Sequence, residues 1–88
     1  MTHTPHELAE EFPNDLEMMR RLKATDQHFS RLFDEYHEVN RAVHRAETLV
    51  EPMAEQAETD LRKRRASLKD EIWRILSRHR EAQAQPTR

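Results

Sequence analysis

Apolar side chains recur at alternating intervals of three and four residues along most of this chain, which places them on one face of a helix. The first stripe consists of Phe29, Leu32, Tyr36, Val39, Val43, Ala46 and Val50, and the second of Leu61, Leu68, Ile72, Ile75 and Leu76. Two such stripes predict two helices that cover each other's apolar seam. This pattern specifies an architecture and supplies no chemistry, so the sequence indicates a fold more directly than a function.

The chain has no glycine and no cysteine among its 88 residues. Without glycine a positive φ angle is costly, which excludes the phosphate-binding loops of nucleotide-binding proteins and the usual two-residue β-hairpin turns. Without cysteine there is no disulfide framework, no thiolate zinc site and no thiol nucleophile. Because helix-forming residues dominate the middle of the sequence, we predict an all-α protein.

Prolines and capping residues predict where the helices begin and end. A short helix is expected from Pro13 to about Ala24, since proline is tolerated at the first position of a helix. Either Thr25 or Asp26 would cap the first long helix, which runs from about Asp26 to Leu49. These boundaries place a break in the chain immediately before the first apolar stripe.

Pro52 stands between the two stripes. It lacks an N–H and disfavours a helical conformation of the preceding residue, so we expect a turn over residues 50–53. The second long helix would begin at residue 53 or 54, end at residue 79 or 80, and pack antiparallel to the first. A single kinked helix over residues 26–80 is the alternative, but it would leave its own stripe with nothing to pack against.

Together these elements predict a short N-terminal helix followed by an antiparallel, coiled-coil-like two-helix hairpin. Residues 13–80 would form the hairpin domain, residues 1–12 a flexible or frayed segment, and residues 81–88 a disordered tail. One seam of about a dozen large side chains is marginal for a lone hairpin, because little apolar area is buried. Either the N-terminal helix packs over the hairpin or two chains form a four-helix bundle, and we expect the homodimer.

Three short segments carry a family resemblance. They read RLK at residues 21–23, HFSRLFDEYH at residues 28–37 and LKDEI at residues 68–72. The sequence resembles the YdcH-like family of short bacterial helical-hairpin proteins over roughly residues 15–80. The resemblance implies a small cytosolic bacterial protein with this fold, no established biochemical activity and no catalytic residues to transfer.

Charge is distributed unevenly along the chain. Residues 1–61 contain 6 Lys/Arg and 14 Asp/Glu, for a net charge of −8, whereas residues 62–88 contain 9 and 3, for a net charge of +6. The basic run could bind nucleic-acid phosphates without reading sequence. The residues of this alternative site are Arg62, Lys63, Arg64, Arg65 and Lys69. A simpler interpretation is that these cations pair with carboxylates of the facing helix; an acidic protein partner is a third possibility.

Protein–protein contacts would use apolar residues of both helices and the single tryptophan. The residues that we predict for this interface are Phe29, Leu32, Phe33, Tyr36, Leu68, Ile72, Trp73 and Ile75. An apolar patch around them would be extended by Phe12, Met18 and Met19. Trp73 directly follows Ile72 and so points to a flank of the seam, where an exposed tryptophan would be a binding hot spot. We therefore expect a non-enzymatic adaptor or regulator that acts through protein–protein interaction.

Sequence signals for other functions are weak. His37 and Glu38 begin a pattern similar to the zinc-binding H-E-x-x-H, but Arg41 occupies the position of the second ligand, and His44 lies two turns from His37. No serine has a histidine and carboxylate arrangement around it, and a hairpin offers no enclosed pocket. We expect no enzymatic activity, no metal and no cofactor. No apolar run approaches the ~20 residues of a membrane span, so a cytoplasmic protein is expected.

Overall fold

The computed structural model describes residues 6–48 and 53–84 of the chain. Within those ranges every regular element is helical and there is no strand, which confirms the all-α class. The elements are α1 (Leu8–Glu11), a 3₁₀ turn (Pro13–Asp15), α2 (Leu16–Thr25), α3 (Gln27–Glu47) and α4 (Glu55–Ala84). No helix in the described part of the chain is both long and apolar enough to span a membrane.

A single residue, Asp26, separates α2 from α3. Its backbone is extended, and its carboxylate accepts a hydrogen bond from the Phe29 N–H at 3.1 Å. This bond satisfies one of the donors that the first turn of a helix leaves unpaired. Of the two capping residues that the sequence allows, Asp26 is therefore the N-cap, while the Thr25 hydroxyl donates to the Arg21 carbonyl at 2.8 Å.

The two long helices α3 and α4 lie side by side and run in opposite directions. Near the start of α3, His28 Nε2 lies 3.3 Å from a carboxylate oxygen of Glu71. At the other end of α3, Glu47 accepts a hydrogen bond from Arg62 Nε at 3.2 Å. A single kinked helix could not bring these pairs together. Residues 49–52, which include most of the predicted turn, lie outside the described residues.

The N-terminal region is only partly as predicted. In place of one short helix there are α1, the 3₁₀ turn and α2, with α1 beginning at Leu8 and capped by Glu7. Residues 6–12 include α1 and contribute Leu8 to the core, while residues 1–5 lie outside the described ranges. The division of the chain at residues 12 and 80 remains a prediction.

The helix α4 is four or five residues longer than predicted at its C-terminal end. It includes residues 81–84, which are part of the predicted tail; residues 85–88 are outside the described ranges. The segment Glu81-Ala82-Gln83-Ala84 consists of strong helix formers, and the next proline stands only at position 86. Nothing in the local sequence ends the helix at residue 80, so it continues.

The apolar core lies at the end of the hairpin where α3 begins. Both long helices contribute to it, and so do α1 and α2. Its buried members are Leu8, Met18, Met19, Leu22, Phe29, Leu32, Tyr36, Leu68, Ile72, Ile75 and Leu76. Of the two arrangements that the sequence allows, the packing of an N-terminal helix over the hairpin is observed, and it gives a single chain the buried area that a bare two-helix pair lacks. The expected homodimer remains a prediction.

Candidate interaction surfaces

Trp73 is the most exposed large apolar side chain among the described residues. Ile72 is completely buried, and the next residue along the helix is rotated by about 100°, which leaves 52% of Trp73 accessible to solvent. Phe12 and Pro13, from the region between α1 and α2, lie beside the indole and share grooves with it. We call Trp73, Phe12, Pro13, Arg74 and Arg78 the Trp73 surface.

An ion pair forms one edge of the Trp73 surface. Lys69 Nζ donates to a Glu11 carboxylate oxygen at 3.1 Å, and both side chains line a groove of about 210 Å³ with Trp73. Burial alone would raise the pKa of Glu11, but the hydrogen bonds and charges of Lys69 and His6 outweigh that effect and lower it. The carboxylate therefore stays ionised and holds α1 against α4.

Two cations lie in a groove beside the indole. Arg74 and Arg78 line a second groove with Trp73, together with Ser77 and Glu81. Both arginines are exposed, and within residues 6–48 and 53–84 neither forms an ion pair. The arrangement is a large aromatic face beside two positive charges that have no ion-pair partner in the part of the chain that the structure describes.

A further apolar groove of about 400 Å³ lies between α1, α2 and α3. Its floor includes Leu16, Met19 and Phe33, and Leu16 is 48% exposed. The ammonium of Lys23 lies 4.4 Å from the centre of the Phe33 ring and 4.0 Å from Asp34, so its charge is already partly engaged. This groove contains apolar surface but little free charge.

His37 closes one side of that groove through a contact with Glu7. Its Nδ1 lies 2.9 Å from a carboxylate oxygen of Glu7, and the imidazole is mostly buried. Burial lowers the pKa of His37, although Glu7 acts in the opposite direction. Among the described residues no three histidine or carboxylate groups are arranged to hold a metal ion.

The basic run at the start of α4 is largely engaged within the chain. Arg62 binds Glu47 and Glu58, and the Nε of Arg64 donates to Glu35 at 2.9 Å. Arg65 donates to the Asn40 amide oxygen at 3.0 Å, and Lys69 binds Glu11. Lys63 is exposed and has no hydrogen bond or ion pair to the described residues. Carboxylates of α1, α3 and α4 therefore pair with three of the five cations of this run, Arg62, Arg64 and Lys69.

The structure distributes the eight predicted interface residues between core and surface. Six of them lie in the core of the single chain: Phe29, Leu32, Tyr36, Leu68, Ile72 and Ile75. Phe33 is half-buried, and Trp73 is more than half exposed. Met18 and Met19, which were expected to extend an exposed patch, are buried, whereas Phe12 does lie beside Trp73. The interface role of all eight residues remains a prediction.

The family model of a protein of unknown function, DUF465, matches residues 29–76, more than half of the chain. The chain belongs to this family. YdcH-like proteins are members of DUF465, so the resemblance seen in the sequence is confirmed. No curated protein and no solved structure matches the chain.

The DUF465 match divides the candidate surfaces. It begins at Phe29 in α3 and ends at Leu76 in α4, so it includes Trp73 and Arg74. Phe12, Pro13 and the whole region before α3 lie outside the matched residues. Each surface is thus built partly from the family hairpin and partly from the N-terminal region that packs on it.

Three buried polar contacts gave no signal in the sequence. The Tyr36 hydroxyl donates to the His6 carbonyl at 2.6 Å, the buried Asp15 carboxylate binds Arg80, and the buried Asn40 binds Arg65. Asp15 and Arg80 are 65 residues apart in the chain. Sequence periodicity reports neighbours three or four residues apart, so contacts of this range cannot be recognised from it.

Proposed function

We propose that this DUF465 protein is a small, non-enzymatic adaptor or regulator that acts through protein–protein interaction at the Trp73 surface. The observation that supports this proposal is the exposure of Trp73 at a point where its helix neighbours, Ile72 and Leu76, are completely buried. An exposed tryptophan beside other apolar side chains is characteristic of interface hot spots, because on binding it buries a large area at a low cost in conformational entropy.

The charges around Trp73 define the partner's chemistry. Arg74 and Arg78 have no ion-pair partner among the described residues, so the surface complements a protein segment with an apolar anchor and carboxylates beside it. The indole would provide most of the affinity, and the arginines would provide orientation and a faster association. The proposal includes a cytoplasmic location and involves no catalytic step, cofactor or metal.

Nucleic-acid binding through Arg62, Lys63, Arg64, Arg65 and Lys69 is the alternative function. The ion pairs of Arg62, Arg64 and Lys69 favour the protein partner, because these cations would have to leave their own carboxylates before they could neutralise phosphates. The two functions also respond differently to salt. Phosphate binding weakens steeply as salt rises, whereas binding dominated by an apolar anchor changes little.

A photocrosslinking experiment tests the proposal. A benzophenone amino acid replaces Trp73 in one protein and exposed Arg41, in the middle of α3, in a matched control, and both are irradiated in cells. We expect a protein adduct at position 73 that is absent at position 41 and survives nuclease. The Trp73→Ala protein should bind the purified partner at least roughly thirtyfold more weakly, as expected for a hot spot. Equal adducts at both positions, or recovery of nucleic acid alone, would overturn the proposal.

A further inference from the structure

The junction between α2 and α3 consists of one residue that is already bonded on both sides. The Asp26 N–H donates to the Leu22 carbonyl at 2.7 Å, and its carbonyl accepts from the Ser30 N–H at 2.9 Å. Its φ and ψ angles of −121° and 106° are all that turns the chain between the two helices. A change of these two angles to helical values would join α2 and α3 into one helix.

The apolar stripe continues through this junction without a change of register. Leu22, Phe29 and Tyr36 are spaced by seven residues, and Met18 lies fourteen residues before Leu32. A fused helix over residues 16–47 would be about 48 Å long and would carry one uninterrupted seam, with Thr25 as its only polar member. The sequence is therefore compatible with a bent form, in which α2 and α3 are separated at Asp26, and with a straight form, in which they are one helix.

The bent form depends on contacts between the N-terminal strap, which we define as residues 6–25, and the hairpin. The strap places Leu8, Met18, Met19 and Leu22 in the core. Its polar contacts to the hairpin include His6 to Tyr36, Glu7 to His37, Glu11 to Lys69, Asp15 to Arg80 and Lys23 to Asp34. The strap is connected covalently to the hairpin only through Asp26. Each of these contacts could therefore also form between the strap of one chain and the hairpin of another.

We infer that two copies of this chain exchange their N-terminal straps. In the exchanged dimer Asp26 is helical, the strap extends away from its own hairpin, and the uncovered face of each hairpin receives the strap of the partner. Every strap contact is remade between chains, so the dimer loses the two Asp26 caps and the entropy of association, while each hinge gains continuous helix. Because Phe12 and Pro13 belong to the strap and Trp73 to the hairpin, both chains build each Trp73 surface. The inference does not rest on the proposed function.

The pair of Glu11 and Lys69 provides a direct test of exchange. A carbodiimide forms a zero-length amide between a carboxylate and an ammonium that are in contact, and these groups are 3.1 Å apart. Equal amounts of ¹⁴N and ¹⁵N protein are unfolded together, refolded at high concentration and crosslinked, and the dimer fraction is isolated. We expect half of the linked 11–69 peptides in that fraction to combine one light and one heavy chain. The Glu11→Gln protein, which cannot form the link, confirms the assignment.

A hinge variant makes the test decisive if the wild-type protein forms little dimer. Asp26→Leu removes the cap and favours a continuous helix, whereas the control Asp26→Asn keeps a capping side chain. We expect Asp26→Leu to tighten dimerisation at least roughly tenfold by light scattering, and Asp26→Asn to leave it unchanged. Mixed-isotope 11–69 links in either dimer support exchange. A dimer in which every 11–69 link joins two peptides of the same isotope overturns the inference, and so does an Asp26→Leu protein that stays monomeric.

Discussion

The two ends of the hairpin are stabilised differently. At the strap end, where the beginning of α3 meets the C-terminal half of α4, four helices share one apolar core. At the turn end, where residues 40–48 meet residues 53–67, α4 contributes no buried residue, although α3 still buries Asn40, Val43 and Ala46. There the charged groups of Arg62 and Arg65 in α4 bind the Glu47 carboxylate and the Asn40 amide of α3.

This contrast shows that a continuous stripe on one helix does not guarantee a continuous core. Exposed ion pairs contribute about 0–1 kcal/mol each, whereas a buried aliphatic side chain contributes several times more. Stability should therefore be concentrated at the strap end. The turn end would open first, and its free energy of opening would be lower than the global free energy of unfolding.

The largest expected effect is that of truncating the core at the strap end. Ile72→Ala removes a completely buried side chain and should lower the free energy of unfolding by about 2–5 kcal/mol. The matched change at the turn end, Leu61→Ala, affects a half-buried residue and should cost clearly less. Urea unfolding monitored by circular dichroism measures both values. Equal losses for the two variants would contradict the difference between the ends.

A smaller effect is expected from Tyr36→Phe, which removes one hydrogen bond and keeps the ring. The lost bond to the His6 carbonyl should cost about 0.5–1.5 kcal/mol. His6 has a φ angle of 63°, a left-handed conformation unfavourable for a residue other than glycine, and this bond helps to hold it. Amide hydrogen exchange should become faster in α1 and not at the turn end. Uniform acceleration along the chain would contradict a local role.

Burial and Glu11 raise the pKa of Tyr36 to about 12, so the hydrogen bond from its hydroxyl to the His6 carbonyl persists at alkaline pH.

The next effect concerns pH at the strap. Because burial lowers the pKa of His37, the unfolded chain binds its proton more readily than the folded one. The contribution of His37 to the free energy of unfolding is therefore complete above the ordinary histidine pKa of about 6.5. It is lost as the pH falls through the lower pKa that His37 has in the folded chain. The charged groups that act on His37 are Glu7, Arg41, Lys23 and Asp34. Urea unfolding between pH 7.5 and 5.5 should show a shallower loss for His37→Gln than for the wild type. An identical slope would exclude His37 as a source of the pH dependence.

The smallest effect is expected from the exposed ion pair between Arg64 of α4 and Glu35 of α3. Arg64→Gln removes the contact with Glu35 and should change the free energy of unfolding by less than about 1 kcal/mol. Raising the salt concentration should reduce the difference further, because both side chains are partly exposed. Urea unfolding at low and high salt measures this dependence. A loss as large as that of Ile72→Ala would mean that an exposed ion pair between α3 and α4 stabilises the hairpin as strongly as a core side chain does.

Local rules predicted the long helices better than the N-terminal region. The stripe from Phe29 to Ala46 identified α3, and capping chemistry limited its N-cap to Thr25 or Asp26, because both signals lie within one or two helical turns. The C-terminal end of α4 lies four or five residues beyond the predicted end, because residues 81–84 are strong helix formers. In the strap, Leu8 has no apolar neighbour at helical spacing except Phe12, so its burial could not be recognised.

The sequence alone determined the all-α class, the two long helices, the break before α3 and the membership of DUF465, because periodicity, capping and family motifs are local properties of the chain. The tertiary structure decided which residues remain exposed. It covered the seam residues Phe29, Leu32 and Tyr36 with the strap, left Trp73 at the surface, and paired Arg62 and Arg64 with α3 carboxylates. These outcomes depend on groups that are 15 to 65 residues apart in the chain, and only the folded chain brings such groups together.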